Sequence, residues 1–295
     1  MTDSHAHLGY EPIFSQLDNL LEEYINSGGK HILNVSGILV DSIKNLSISR
    51  KYRHKFPGLI QTGIGIHPES FFEEREFEIN RAEKEIKKLS SMIDKYRDEL
   101  DAIGESGIDY HSFTKSNIPI IFKSVDEIEI IKEIQQESFR AHVQKSLEYD
   151  LPISIHSRDR ADKNESVKDA LEIVCQVGKG KIRGSFHCYT GKKDYVEDII
   201  NLGLHIGFNA IITYKSGENV REILRKTPMN RILLETDAPF LPLRTRDKRA
   251  NTPLDIKDIA KVAAEIKDCT TEKLLEITRE NYENLFLIKD RERKN

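Results

Sequence analysis

Short apolar and β-branched runs recur along the chain, and each is followed by a longer charged stretch with apolar residues at helical spacing. The runs at 2–7, 31–36 (HILNVS), 60–66 (IQTGIGI), 101–105 (DAIGE), 151–156 (LPISIH), 181–187 (KIRGSFH), 203–208 (GLHIGF) and 231–236 (RILLET) read as strands. Between them, 13–27 places Phe14, Leu17, Leu20, Leu21 and Tyr24 on one helical face, and 73–99 repeats Ile79, Ile86, Leu89 and Ile93 among Glu and Lys. Segments 126–149, 165–177, 193–202, 217–227 and 255–267 behave alike, and 271–287 follows Thr270 as an N-cap. Eight strands alternating with helices predict the α/β class with a parallel sheet. The count of eight favours closure into a single-domain (β/α)8 TIM barrel over residues 1–288.

The spacing fails at 111–125 (HSFTKSNIPIIFKSV), which is long for a strand-to-helix connection. Its Ile118, Ile120, Ile121 and Phe122 predict a loop that packs on something, and Pro119 argues against a helix interior or a central strand. Residues 289–295 (KDRERKN) read as a solvated C-terminal tail.

Composition narrows the partners. With 45 basic and 49 acidic residues the net charge is −4, so a phosphate-bearing substrate must be gripped locally and not by a basic surplus. The three cysteines, Cys175, Cys188 and Cys269, include no CxxC pair, which argues against a disulfide framework or a zinc ribbon and fits a reducing compartment. No run of about 18 apolar residues reads as a membrane span. MTDSHAHLGY lacks the basic and apolar regions of a signal peptide, so the expected location is cytoplasmic, with no membrane and no obligate protein partner.

The chemistry collects where barrel active sites lie, at the C-terminal ends of the strands. These ends carry His5-Ala6-His7, His67-Pro68, Gly104-Glu105, His156-Ser157-Arg158, Phe186-His187-Cys188 and Glu235-Thr236-Asp237. Singly, each has a bland reading as a turn former or a hydrogen-bonded histidine. Jointly, four imidazoles (His5, His7, His156, His187) and two carboxylates (Glu105, Asp237) at one end of a barrel would be costly if buried and unpaired. Divalent metal removes that cost. The mixed nitrogen and oxygen set suits Zn2+, Mn2+ or Fe2+, and Mg2+ more weakly. Six ligands are too many for one open ion, so a pair of divalent ions sharing a carboxylate and a water is the simplest arrangement.

At these residues the chain resembles the TatD-type deoxyribonucleases of the amidohydrolase superfamily. The resemblance runs through DSHAHL (3–8), GIHP (65–68), GESGIDY (104–110), LPISIHSRD (151–159), FHCYTG (186–191), LLETDAP (233–239) and the Asn-x-Pro at 251–253. It implies that His5 and His7 bind one metal, His156 and His187 a second, and that Glu105 bridges both. Asp237 would complete the first site and orient or deprotonate the attacking water. His67 and Arg158 would contact the substrate phosphate. It further implies a DNA substrate, cut as a phosphodiester from the 3′ end of single strands. The chain departs from the family pattern at Gly9, where Asp is common; at Glu69, where a second His is frequent; at Thr252 of the Asn-x-Pro; and in the 111–125 insertion. The basic residues Lys193, Lys215, Arg244, Arg246, Lys248 and Arg249 follow strands six to eight and are candidates for a phosphate track. Two other readings share these residues: a metal-dependent hydrolase of a small phosphoester, amide or lactone, and a non-catalytic metal-binding interaction module.

Overall fold

A computed structural model describes residues 1–73, 79–114, 117, 124–160, 163–244 and 250–287. Among them, eight strands form one parallel sheet in sequential order: β1 (Thr2–Ala6), β2 (His31–Asn34), β3 (Ile60–Ile64), β4 (Ala102–Asp109), β5 (Ile153–Arg158), β6 (Gly184–Phe186), β7 (His205–Phe208) and β8 (Ile232–Leu234). The first and last strands then meet. Asp237 N–H donates to the His5 carbonyl and His7 N–H to the Ala238 carbonyl, each at 2.8 Å, and Ala6 bridges Ala238 in parallel. The sheet thereby closes into the (β/α)8 barrel that the alternation predicts.

The covering helices are α1 (Leu17–Asn26), α2 (Leu39–Tyr52), α3 (Ser70–Glu73), α4 (Ile79–Tyr96), α5 (Val125–Tyr149), α6 (Glu165–Gly178), α7 (Val196–Asn201), α8 (Glu218–Lys226), α9 (Ile256–Ile266) and α10 (Thr271–Phe286). Apolar stripes bury on the barrel wall: Leu17, Leu20, Leu21 and Tyr24 on α1, and Ile86, Leu89 and Ile93 on α4. Thr270 caps α10 by accepting from Lys273 N–H at 3.2 Å. That helix brings Tyr282, Leu285 and Phe286 into one cluster with Leu33, Val35, Ala102 and Leu233 on or just past the strands.

The structure departs from the sequence reading at several elements: Phe14, expected on the α1 face, precedes that helix and is exposed, the short α3 is not expected, and β5 runs on to Arg158, but α2 and β4 bear most on the site. The apolar pattern does not predict helix α2. Its inward face is built on Ser42 and Asn45 beside Leu46, Ile48 and Tyr52, while Val40 and Ile43 point to solvent, so no apolar stripe marks it. Strand β4 continues to Asp109, past the expected end at 105, because it pairs with β5 from Ser106 to Asp109. Gly107 permits this: at φ +155° it lies so close to β5 that a Cβ would overlap the His156 carbonyl. Within 111–125, Ile118, Pro119, Ile120, Ile121 and Phe122 lie outside the described residues, as does the 289–295 tail.

Candidate metal centre

Strand alternation aims the site. His5 and His7 are two residues apart, as are His156 and Arg158, so each pair projects to one face. Glu105 comes from β4, His67 follows β3, and His187 follows β6. These side chains converge at the C-terminal mouth, on a cavity of about 820 Å³ lined also by Tyr10, Ile38, Glu69, Cys188, Phe240 and Leu241.

Glu105 is the hub. Its Oε2 lies 3.3 Å from His5 Nε2 and 3.5 Å from His7 Nε2. Its Oε1 lies 2.9 Å from His156 Nδ1, 2.6 Å from His187 Nε2 and 3.3 Å from His67 Nε2. The two oxygens of one carboxylate thus face separate groups of imidazoles. Asp237 Oδ1 lies 3.4 Å from His7 Nε2 and 3.7 Å from His5 Nε2. All six residues expected as ligands are brought together. His67, expected at the substrate, stands in the same cluster, 3.2 Å from His156 Nδ1. Arg158 lines the cavity with its guanidinium partly exposed.

Supporting contacts set two of the donors. Ser154 Oγ meets His5 Nδ1 at 3.0 Å, which turns Nε2 toward the carboxylates. His156 Nε2 donates to Asp109 Oδ2 at 2.9 Å, which leaves Nδ1 as the nitrogen that meets Glu105 Oε1 at 2.9 Å, and the two carboxylates raise the pKa of the ring to about 10 against its burial. The sequence reading does not single out Asp109, since it ends strand four before that residue; the His156–Asp109 pairing follows from the longer β4. Asp237 sits at φ +59°, in the left-handed region that non-glycine residues seldom adopt. It is held there by the hydrogen bond from its amide to the His5 carbonyl and by Asn251, whose Nδ2 donates to the Thr236 carbonyl at 2.6 Å and the Leu241 carbonyl at 3.2 Å. The asparagine of the Asn-x-Pro therefore braces the Asp237 loop. Asp3 ties β1 to the same loop by accepting from the Thr236 amide at 2.9 Å and its hydroxyl at 2.6 Å.

The carboxylates at the centre are held ionised. Burial alone would raise the Glu105 pKa, yet His187, His67 and His5, with the hydrogen bond from His156, hold it well below the carboxylate range. Asp237 is also lowered: the hydrogen bond it accepts from His7, with the neighbouring imidazoles, outweighs its burial. His5 moves the other way, down to about 4, through burial and the neighbouring His187. It is a neutral imidazole at pH 7, and its buried Nε2 has no hydrogen-bond partner. A neutral imidazole with an orphaned lone pair beside ionised carboxylates is the donor set a divalent cation requires. Three groups of donor atoms fall within 4.8 Å of one another: His5, His7 and Asp237; His5, Glu105 and His187; and His67, Glu105 and His156. The residues present fit a metal.

The expected phosphate track is less continuous. Lys193 pairs with Glu222 at 2.9 Å, and Arg244 lies over the Tyr214 ring at 4.7 Å. Lys215 is exposed. Arg246, Lys248 and Arg249 lie outside the described residues. No described helix is long and apolar enough to cross a membrane.

Comparison with known proteins places this geometry. Residues 2–287 match the family described as TatD related DNase. The uncharacterized metal-dependent hydrolase YabD of Bacillus subtilis is 32% identical over 288 residues, covering 97% of this chain and 98% of the relative. The uncharacterized metal-dependent hydrolase YcfH of Escherichia coli K12 is 27% identical over 292 residues, covering 98% and 96%. Among solved structures, the TatD homologue YJJV of Escherichia coli K12 superposes with a TM-score of 0.78 at 20% identity over 97% of both chains.

Proposed function

The chain belongs to the TatD-related DNase family of metal-dependent hydrolases, and from that premise we propose that it is a two-metal phosphodiesterase acting on DNA, removing nucleotides from the 3′ ends of single strands. The observation that carries the proposal is the Glu105 carboxylate, whose two oxygens face different imidazole groups at the floor of a cavity with a guanidinium in its wall.

In this reading His5, His7 and Asp237 would hold one ion and His156 and His187 another, with Glu105 available to both. Divalent ions, when bound, would supply a water of lowered pKa and neutralise charge developing on a phosphoryl oxygen. The protein's own groups do the rest. Asp237, ionised at neutral pH and facing the cavity, orients the water and accepts its proton at a carboxylate oxygen. The Arg158 guanidinium presents its fork to the non-bridging oxygens, and His67 steadies the same group from the β3 side. The water oxygen joins phosphorus, the P–O3′ bond breaks, and the departing 3′ oxygen takes a proton. The products are a nucleoside 5′-monophosphate and a strand shortened by one residue.

The test is an assay on an end-labelled single-stranded oligonucleotide with Mn2+, Mg2+ and Zn2+ in turn, with product lengths resolved to single nucleotides. The expected pattern is a ladder receding from the 3′ end, abolished in Glu105→Ala with the fold retained by circular dichroism. Cleavage of a small ester or amide with the oligonucleotide left intact would overturn the choice of substrate. A Glu105→Ala rate equal to the unmodified protein's would overturn the bridged site.

A further inference from the structure

The guanidinium assigned to the phosphate shares the cavity wall with a carboxylate. Glu69 lines the cavity two residues after His67, and its Oε1 lies 3.6 Å from Arg158 Nη1. Its backbone amide donates to His67 Nδ1 at 3.2 Å, which fixes the start of the side chain against the site. Asp109 Oδ2 lies 3.9 Å from the same Arg158 nitrogen, but Asp109 is fully buried and already engaged by His156 at 2.9 Å. Of these two acids, only Glu69 lines the chamber that receives the substrate.

A fixed negative charge on the wall of an anion site acts on every anion in proportion to that anion's own charge, because Coulomb energy scales with the product of the two. A phosphodiester carries one negative charge. A terminal phosphomonoester carries nearly two at neutral pH and above. The same carboxylate therefore costs the monoester twice the free energy it costs the diester, and the ratio of affinities changes accordingly. Arg158 alone would favour the more highly charged ligand; Arg158 beside Glu69 does not.

We infer that Glu69 is a specificity residue that selects by charge: it admits phosphodiesters and 3′-hydroxyl ends and disfavours terminal phosphomonoesters. The inference rests on the phosphodiesterase reading of the cavity. It also bears on turnover, because the released nucleoside 5′-monophosphate carries the extra charge, so the carboxylate that tolerates the substrate speeds departure of the product.

The alternative role for Glu69 is mechanical, holding Arg158 in place, and it makes the opposite prediction. The experiment compares the unmodified protein with Glu69→Gln, both loaded with Mn2+, at low salt and about pH 8, where inorganic phosphate is mostly dianionic. Calorimetry measures the binding of dimethyl phosphate, a monoanion, and of inorganic phosphate. Single-turnover cleavage is followed on one oligonucleotide ending in a 3′-hydroxyl or a 3′-phosphate. Removing the charge is expected to tighten dimethyl phosphate about threefold and inorganic phosphate about tenfold, roughly the square. The preference for the 3′-hydroxyl end should narrow by a similar ratio. Equal changes for both probes, or weaker binding of both, would overturn charge selection and leave Glu69 as a support for Arg158. Probes that separate as stated while neither oligonucleotide is cut would sink the nuclease reading and keep the selection; cleavage with probes that do not separate would do the reverse.

Discussion

At the mouth of this barrel His5, His67 and His156 each present one ring nitrogen to the site while a contact on the far side of the ring engages the other. His156 is the clearest case. Asp109 accepts its Nε2–H at 2.9 Å, so Nδ1 is the nitrogen that faces Glu105 Oε1, also at 2.9 Å. Asp109, though buried, is kept ionised chiefly by His156, with the His111 amide and Arg158 assisting. Carboxylates that orient a ligand histidine commonly contribute about 10- to 100-fold in metal affinity. Asp109→Asn is therefore expected to weaken Mn2+ binding by about that factor, while the side-chain carbonyl that the substitution leaves in place still accepts the His111 amide. Competition against a chelating dye measures it; an unchanged affinity would show that the ring needs no such partner.

At the scale of elements, the placement of β3 depends on a histidine outside the site. His142 of α5 is fully buried; its Nε2 accepts from the Ile66 amide at 3.0 Å and its Nδ1–H donates to the Ser138 carbonyl at 2.6 Å. Ile66 immediately precedes His67, so α5 pins the strand end that delivers that side chain. Burial depresses the His142 pKa to about 4. The folded protein then binds fewer protons than the unfolded chain between about pH 6.5 and 4, and stability falls as pH falls through that window. The loss reaches roughly 3 kcal/mol below the folded pKa. Urea melts across this range should show a steep acid slope that flattens in His142→Gln; equal slopes would place the acid sensitivity elsewhere. The strand ends were legible in the sequence because ligation demands particular residue types, and His5, His7, Glu105, His156, His187 and Asp237 have few substitutes. Asp109 and His142 were not, because a carboxylate behind a ligand looks like a turn residue and a buried histidine like any helix position. Helix α2 escaped for the same reason: its inward face is polar where Ser42 and Asn45 bond to the barrel, with Ser42 Oγ 2.8 Å from Ser36 Oγ.

For the whole molecule, the closing of β1 on β8 and the gathering of charge are one event. The bonds that shut the barrel, Asp237 N–H to His5 and His7 N–H to Ala238, begin at the proposed ligands themselves. Folding thus brings four histidines and two acids from five strands together, with donor atoms in groups within 4.8 Å of one another. Cations that bind only the folded state add stability in proportion to their saturation. The decisive measurement is a calorimetric Mn2+ titration of chelator-treated protein, with metal content confirmed by elemental analysis, run beside Glu105→Ala. The account expects about two ions per chain in the unmodified protein and at most one, weakly held, in the variant. Failure of the unmodified chain to bind stoichiometrically, or identical titrations for the two proteins, would contradict it.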